Sequence, residues 1–306
     1  MRQLYKPFVE NRNKAFDQTK NPLIAVHTDA GPTTIRDPHE SGGMETVEHH
    51  GRTTAYRSVT GEGESATVLY VHGSASTHAL WSQQYAPSGP ASSAAALDLS
   101  GHGASEDIDT APGEATLTSY VDDVVAVAEA TDATVLVGNS LGGAVALATV
   151  LRRAVPLDGL VLAGSGAKLP VVQTLRDDLA ADFEAAVSFL HGEDMLFHDP
   201  PERAREHSIE TMRAVGQSVT RRDFETCHRF DVRDRLDTVD VPTLALCGEH
   251  DRLTPPSYHE TLAEEIPRGR CETVPDAAHL AMVERPVRFN DAVATFLRDI
   301  EPTPSP

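Results

Sequence analysis

The stretch from Thr134 to Val150, TVLVGNSLGGAVALATV, decides the fold of this chain. An apolar, β-branched run predicts a strand that ends at Gly138, and a run of helix formers with small side chains follows it. Between them stands G-x-S-x-G, in which Gly138 and Gly142 allow a sharp turn around Ser140. The pentapeptide also occurs in plain glycine-rich loops. Between a strand and a helix, however, it predicts that Ser140 is a nucleophile at a helix N-terminus.

Acidic residues far outnumber basic ones in the 306-residue chain, 46 against 26, which gives a formal net charge of −20. Only four of the basic residues are lysines. Such a surface stays hydrated when salt screens its charges, so we expect a salt-adapted, haloarchaeal source. A GC-rich genome would give the same preference for arginine. No basic stripe is available to neutralise phosphates, which disfavours a nucleic-acid partner.

The sequence carries no feature typical of a membrane or secreted protein. No run approaches 18 uninterrupted apolar residues, and the N-terminus lacks the apolar core of a signal peptide. The three cysteines, Cys227, Cys247 and Cys271, are odd in number and lack a metal-type spacing, so we expect reduced thiols. These observations predict a cytoplasmic protein with no membrane partner.

Residues 1–43 differ in character from the rest of the chain. They hold three of the four lysines and show little hydrophobic periodicity. We interpret them as a disordered or mis-assigned extension, with Met44 as the natural start. A genuine flexible arm is the alternative. The last six residues, 301–306, are predicted to be a frayed tail.

From residue 44 onward, strands and helices alternate, and the strands are nearly continuous apolar runs. That pattern is typical of a mostly parallel sheet covered by helices on both faces. Residues 44–165 and 241–300 form this α/β core. Between them, residues 166–240 contain helical runs and no convincing strand, which predicts a helical cap inserted after the sixth strand.

Two further residues follow predicted strands and can activate Ser140. A serine hydroxyl is a poor nucleophile until a base removes its proton. His279 suits that task, because histidine has an ordinary pKa of about 6.5. Asp251 would fix the tautomer of His279 and stabilise its protonated form. Because the carboxyl ends of parallel strands share one edge of the sheet, we expect the three side chains to meet there.

The motifs together resemble the α/β-hydrolase superfamily, in particular its capped branch of esterases and carbon–carbon-bond hydrolases. The chain order Ser…Asp…His is the order of that superfamily. The resemblance covers roughly residues 45–300 and rests on VHGS (71–74), DLSGHGAS (98–105), GNSLGG (138–143), GEHDRLTP (248–255) and DAAHLAMVERP (276–286).

The resemblance implies a serine hydrolase that cleaves a small carboxylic ester or related acyl compound through an acyl-enzyme. The backbone amides of Ser74 and Leu141 would form the oxyanion hole, with Ala75 as the second choice for the loop amide. Trp81 and Ala75 are candidates for substrate binding. His72 and His102 are interpreted as structural residues beside the site.

Other functions remain open at this point. A carbon–carbon-bond hydrolase of a dienoic diketo acid or a non-hydrolytic lyase or synthase could use the same scaffold. A ligand-binding receptor or pseudoenzyme is the alternative of another class, since a fold alone does not define a function. The sequence has no dinucleotide or Walker fingerprint and no trusted metal-ligand spacing, so we predict neither a cofactor nor a metal. The substrate and the oligomeric state stay open.

Overall fold

The computed structural model of the protein describes residues 43–61, 66–85, 89–91 and 93–300. The interpretation of residues 1–43 as an extension therefore falls outside the described residues apart from Gly43, and that of 301–306 as a tail falls outside them entirely.

A single sheet of eight strands organises the described part of the chain. Its spatial order is β1-β2-β4-β3-β5-β6-β7-β8. The strands are β1 (Glu45–His49), β2 (Arg52–Val59), β3 (Thr67–Val71), β4 (Ser93–Leu97), β5 (Ala133–Asn139), β6 (Gly159–Ala163), β7 (Thr243–Gly248) and β8 (Gly269–Val274). Only β2 runs antiparallel to its neighbours, and all other pairs are parallel. The prediction of a mostly parallel α/β sheet is confirmed.

Both faces of the sheet are buried, which explains the continuous apolar strands. Successive residues of a strand point to opposite faces. Leu69 and Leu136 accordingly pack into one core cluster with helices α1 (Glu114–Thr131), α2 (Leu141–Leu151) and α7 (Pro256–Glu265). Val68 and Val135 pack into a second cluster, on the other face, with helix α9 (Pro286–Ile300). The short helix α8 (Ala281–Glu284) precedes α9.

Four helices fill the segment between β6 and β7. They are α3 (Gln173–Ala181), α4 (Phe183–Leu190), α5 (Glu202–Val215) and α6 (Gln217–Arg229), and we call them the cap. Helices α3 and α4 are separated at Asp182. The carboxylate of Asp182 accepts the backbone amide of Ala185 and so begins a new helix.

The cap has an apolar cluster of its own. Leu175, Leu179, Val187, Leu190 and Met212 are all buried in it. Within the described ranges, no helix is long and apolar enough to cross a membrane.

Candidate active site

Ser140 sits on the turn between β5 and α2. Its backbone has φ 53° and ψ −117°, a left-handed conformation that is rarely adopted by residues other than glycine. Two contacts hold this turn. The amide of Ser140 donates to the carbonyl of Ala163 (3.0 Å), and the Ser165 hydroxyl donates to the carbonyl of Ser140 (2.9 Å). The serine hydroxyl is thus presented at the start of α2.

The glycines around Ser140 are required by close backbone approach. A Cβ at Gly138 would collide with the carbonyl of Gly142, across the turn. A Cβ at Gly142 would collide with the carbonyl of Val71, at the end of β3. The two glycines therefore allow the sharp turn that the sequence predicted, and they let α2 approach the ends of β5 and β3 closely.

Asp251 and His279 follow β7 and β8 and form a buried pair. Nδ1 of His279 lies 2.9 Å from Oδ2 of Asp251. The other carboxylate oxygen, Oδ1, accepts the amides of Leu253 and Thr254, both at 2.9 Å. The Thr254 hydroxyl donates to Oδ2 at 2.8 Å. The orientation of the carboxylate is therefore fixed before any substrate binds.

The surroundings of Asp251 keep it ionised. Burial by itself raises the pKa of this carboxyl, but the charge and hydrogen bond of His279 and the donors of Thr254 outweigh it, so that the pKa is lowered overall. An ionised acceptor at Nδ1 selects the tautomer of His279 in which Nε2 can accept a proton.

Ser140 and His279 border the same cavity. A Cβ placed on Gly164, after β6, would lie 3.1 Å both from Nδ1 of His279 and from Nδ2 of Asn139, so the loops meet closely here. Among the described residues, the hydroxyl of Ser140 makes no hydrogen bond. Bonds between nucleophile and base are often long or absent without substrate, so this geometry is compatible with the predicted roles.

The loop after β3 runs across Ser140 and carries Ser74. A Cβ on Gly73 would lie 3.2 Å from the Cβ of Ser140. The amides of Ser74 and Leu141 donate to none of the other described residues, as an oxyanion hole requires. The second choice, Ala75, does not fit this role. Its amide already donates to Oδ2 of Asp223 at 3.2 Å, although its side chain borders the cavity.

The cavity between the strand ends and the cap has a volume of about 550 Å³. Its cap side is largely apolar and includes Leu175, Phe189, Leu190, Met195, Met212 and Phe224. No aspartate or glutamate is among the described residues that border it, whereas Arg203 and Arg252 are. In a protein of net charge −20, this is an unusual local balance.

Trp81 does not lie where its predicted role requires. The side chain is fully buried and does not border the cavity, although Leu80 does. It packs instead on Tyr70 (ring centroids 5.0 Å apart) and on Phe289 (6.0 Å) in the core beneath the sheet. Trp81 is therefore a core residue, and the prediction that it binds substrate is wrong.

His72 and His102 hold the backbone beside the site. Nε2 of His72 accepts the amide of Leu99 (3.0 Å), so its Nδ1 donates to the carbonyl of Gly73 (2.8 Å). Burial and the nearby charge of His102 lower the pKa of His72 to about 4, which keeps the ring neutral. His72 thereby supports the loop that precedes Ser74.

The structure brings together a histidine cluster that sequence spacing could not show. Ligand atoms of Asp194, His198 and His250 lie within 4.8 Å of one another. The rings of His198 and His250 stack at 3.8 Å, and Nδ1 of His198 is 2.6 Å from Oδ1 of Asp194. His250 is far from the other two in sequence, so the cluster exists only because the cap folds back onto the core.

Glu284 is a buried carboxylate that the sequence analysis missed. It accepts the amide of Ala278, next to His279, at 2.7 Å. It also accepts the amides of His198 (2.9 Å) and Asp199 (2.8 Å) between α4 and α5. Glu284 thus ties the loop that carries His279 to the cap. A glutamate within the apolar run LAMVE was the available signal.

Comparison with known proteins agrees with this architecture. The model of the "Alpha/beta hydrolase family" matches residues 68–292, which is well over half of the chain. The chain therefore belongs to the alpha/beta hydrolase family.

Two curated relatives and one solved structure illustrate the similarity. The sn-1-specific diacylglycerol lipase ABHD11 of Mus musculus is 28% identical over 186 residues, which is 53% of this chain and only 58% of that relative. The 3-oxoadipate enol-lactonase 1 of Acinetobacter baylyi is 22% identical over 83% of this chain and 97% of its own length. The structure of a thermophilic esterase superposes with a TM-score of 0.75 and 29% identity, covering 85% of this chain and 98% of that one. The family and these neighbours identify the chain as an enzyme of the hydrolase class.

Proposed function

We propose that the protein is a serine hydrolase that cleaves a carboxylic ester or related acyl compound through an acyl-enzyme. The observation that carries this proposal is the buried Asp251–His279 pair beside the same cavity as Ser140, which stands on a strained turn at the start of a helix. A base held by an ionised acid, next to a presented hydroxyl, is the arrangement that acyl transfer needs.

The reaction proceeds in two halves. His279 takes the proton of the Ser140 hydroxyl at Nε2 while the serine oxygen bonds to the substrate carbonyl carbon. The amides of Ser74 and Leu141 donate to the resulting oxyanion. The bond to the leaving alcohol then breaks, and His279 gives that oxygen the proton. In the second half, water attacks the acyl carbon, His279 takes a proton from the water, and Ser140 regains it as the acid leaves.

The cavity supports a substrate with an apolar acyl or alcohol part. Its volume of about 550 Å³ lies within the usual range for small-molecule sites. Because arginines but no carboxylates border it among the described residues, the site favours neutral or anionic substrates over cationic ones. The two relatives, a lipase and an enol-lactonase, are in line with a substrate that has an ester or lactone bond.

A carbon–carbon-bond hydrolase of a dienoic diketo acid is the second candidate. It depends on whether arginines at the cavity are free to bind the substrate. Such a substrate needs cations for its carboxylates. Arg176 is occupied by Glu225 (2.8 Å) and Arg222 by Asp107 (2.7 Å). Only Arg203 and Arg252 border the cavity without a salt bridge to a described residue. Arg203 and Arg252 are available for such carboxylates, so this candidate stays open, as does a lyase or synthase. The receptor alternative predicts no turnover at all.

The proposal also covers the source of the protein, its location and its partners. The charge of −20 supports a salt-adapted, haloarchaeal source and a cytoplasmic protein that meets small-molecule substrates rather than nucleic acids or membranes.

The test is hydrolysis of p-nitrophenyl esters of increasing acyl length, in low salt and in molar KCl. Ser140→Ala is compared with Ser257→Ala, which changes an exposed serine on α7. We expect turnover that Ser140→Ala abolishes and Ser257→Ala retains, with higher activity in salt. Wild-type turnover no greater than that of Ser140→Ala in either buffer would overturn the ester proposal and favour the carbon–carbon and receptor alternatives.

A further inference from the structure

The most deeply buried acidic group of the cap is Asp223 on α6, and its side chain points into the core. Its exposed fraction is zero. Its carboxylate accepts three hydrogen bonds, each from a different part of the core: from Nε2 of His102 (2.9 Å), from the hydroxyl of Tyr120 on α1 (2.6 Å) and from the amide of Ala75 (3.2 Å). A buried carboxylate is stable only when its acceptors are satisfied, and here they are.

The bond to Ala75 is the one that concerns the active site. Ala75 directly follows Ser74, whose amide we assign to the oxyanion hole. The φ of Ala75 is +55°, a left-handed conformation that an alanine keeps only when its surroundings hold it. The only hydrogen bond that its amide makes among the described residues goes to Asp223.

A second contact from the same helix reaches the neighbouring loop residue. Cys227 lies four residues after Asp223, one turn further along α6, so both side chains project from one face. The Sγ of Cys227 is 3.8 Å from the hydroxyl of Ser74. Helix α6 therefore contacts both Ser74 and Ala75.

We propose that Asp223 is a positioning residue that sets the direction of the Ser74 amide by holding Ala75, so that helix α6 of the cap completes the oxyanion hole. This inference rests on the proposed serine-hydrolase function and deepens it. Asp223 touches no reacting atom, and its effect passes through the backbone of the loop. Through these contacts, helix α6 is attached to the core.

The experiment uses the full chain and the p-nitrophenyl ester that wild type turns over fastest. Asp223→Ala removes all three acceptor contacts, and Asp223→Leu, which has the same branched shape but no acceptor, is used should the alanine variant fail to fold. Losing one oxyanion donor costs about 10²- to 10³-fold in turnover, and a misdirected donor costs part of that. We expect kcat to fall about 10- to 100-fold in Asp223→Ala, with KM changed by less than about threefold.

An inhibitor that mimics the oxyanion separates positioning from mere loss of structure. We expect the Ki of a trifluoromethyl ketone to rise by the same factor by which kcat/KM falls, because both depend on the Ser74 amide. Turnover is divided by the concentration of active sites that a fluorophosphonate titrates, so that unfolded protein does not lower the measured kcat.

Arg229→Gln is the matched control. Arg229 is the last residue of α6 and donates to the carbonyl of Pro112 (2.7 Å), which also attaches the cap to the core. It does not contact the loop at Ser74. We expect this variant to lose thermal stability while its kcat per titrated site stays within about threefold of wild type.

Two results would overturn the inference: a kcat per titrated site and a ketone Ki in Asp223→Ala or Asp223→Leu that equal those of wild type, or an equal loss of kcat in Arg229→Gln. Either result leaves the proposed function intact so long as Ser140→Ala is inactive. Activity in Ser140→Ala would instead remove the function on which the inference rests.

Discussion

Nδ1 of His279 lies 2.9 Å from Oδ2 of Asp251, and both side chains are almost completely buried. The carboxylate is fixed in turn by Thr254, through both its amide and its hydroxyl. The imidazole therefore has one orientation, in which Nδ1 is occupied and Nε2 is the nitrogen that can exchange a proton. The catalytic proposal depends on this relationship more than on any other contact.

Replacing Asp251 by asparagine tests that relationship. The amide is neutral and cannot stabilise a protonated His279, so the ring loses its tautomer preference. We expect kcat for the preferred p-nitrophenyl ester to fall about 10³- to 10⁴-fold with KM nearly unchanged. Asp237→Asn, at an exposed position, is the control and should behave as wild type. A kcat in Asp251→Asn within tenfold of wild type would mean that another acid serves His279.

The strained backbone at Ser140 should destabilise the fold, and glycine at this position should relieve the strain. At φ 53° a side chain is strained, by about 1–2 kcal/mol, whereas glycine is not. Glycine also gives the unfolded chain more freedom, which offsets part of this gain. We expect Ser140→Gly to be more stable than Ser140→Ala by about 0.5–1 kcal/mol in chemical denaturation, with both inactive. Equal stability, or the reverse order, would show that the turn is not strained.

The contact between Asp223 and His102 should make stability depend on pH. Burial lowers the pKa of His102, but the carboxylate of Asp223 outweighs it and raises the pKa overall. The folded protein therefore holds this proton more tightly than the unfolded chain, in which the pKa is about 6.5. The stabilisation is complete below that pH and is lost as the pH rises through the higher folded-state pKa. Arg222, Tyr120 and the neutral His72 also face the pair.

Asp223 itself contributes to the pH dependence of stability at acidic pH. Burial raises its pKa, but His102, Tyr120 and Ala75 together lower it overall, so this part of the stability is present above about pH 4 and is lost on further acidification. We expect the excess in Tm of wild type over Asp223→Asn to be larger near pH 6 than near pH 9. A constant difference across that range would mean that His102 does not bind its proton more tightly in the fold.

The arginines at the cavity predict that the enzyme prefers negatively charged substrates to positively charged ones. Between p-nitrophenyl esters of equal length, we expect the one with a terminal carboxylate to be cleaved with a higher kcat/KM than the one with a terminal trimethylammonium, by about fivefold or more in low salt. The preference should shrink in molar KCl, since the charges are exposed to solvent. Arg203→Gln should reduce it and Arg221→Gln, at an exposed position that does not border the cavity, should not. Faster cleavage of the cationic ester would contradict the electrostatic argument.

The sequence was most informative where the backbone leaves no alternative. Gly138 and Gly142 mark a turn that other residues cannot make, and the apolar strands follow from a sheet buried on both faces. The placement of Ser140, Asp251 and His279 after parallel strands then follows from topology alone, because all such strand ends share one edge.

The remaining features depend on contacts between distant segments. Asp223 lies in a helix with no sequence motif, and its partners His102, Tyr120 and Ala75 come from three other parts of the chain. Trp81 was misassigned because its sequence position beside the loop gives no indication of its direction. Its neighbour Leu80 borders the cavity, whereas Trp81 turns into the core.

The contact between Thr254 and Asp251 is one that the sequence can predict. In Asp251-Arg252-Leu253-Thr254, an aspartate accepts amides two and three residues later, a local pattern that is common where a turn leads toward a helix. This local pattern predicts the orientation of the Asp251 carboxylate from the sequence alone, without knowledge of its contact with His279.

The most direct test of the central claim is the mass of the enzyme during turnover. Wild type and Ser140→Ala are mixed with the preferred ester, quenched in acid within the first turnovers, and examined as intact protein and as peptides by mass spectrometry. The serine mechanism predicts one added acyl group on wild type, located on Ser140, and none on Ser140→Ala. Turnover by wild type with the acyl group on another residue, or equal labelling of Ser140→Ala, would contradict it.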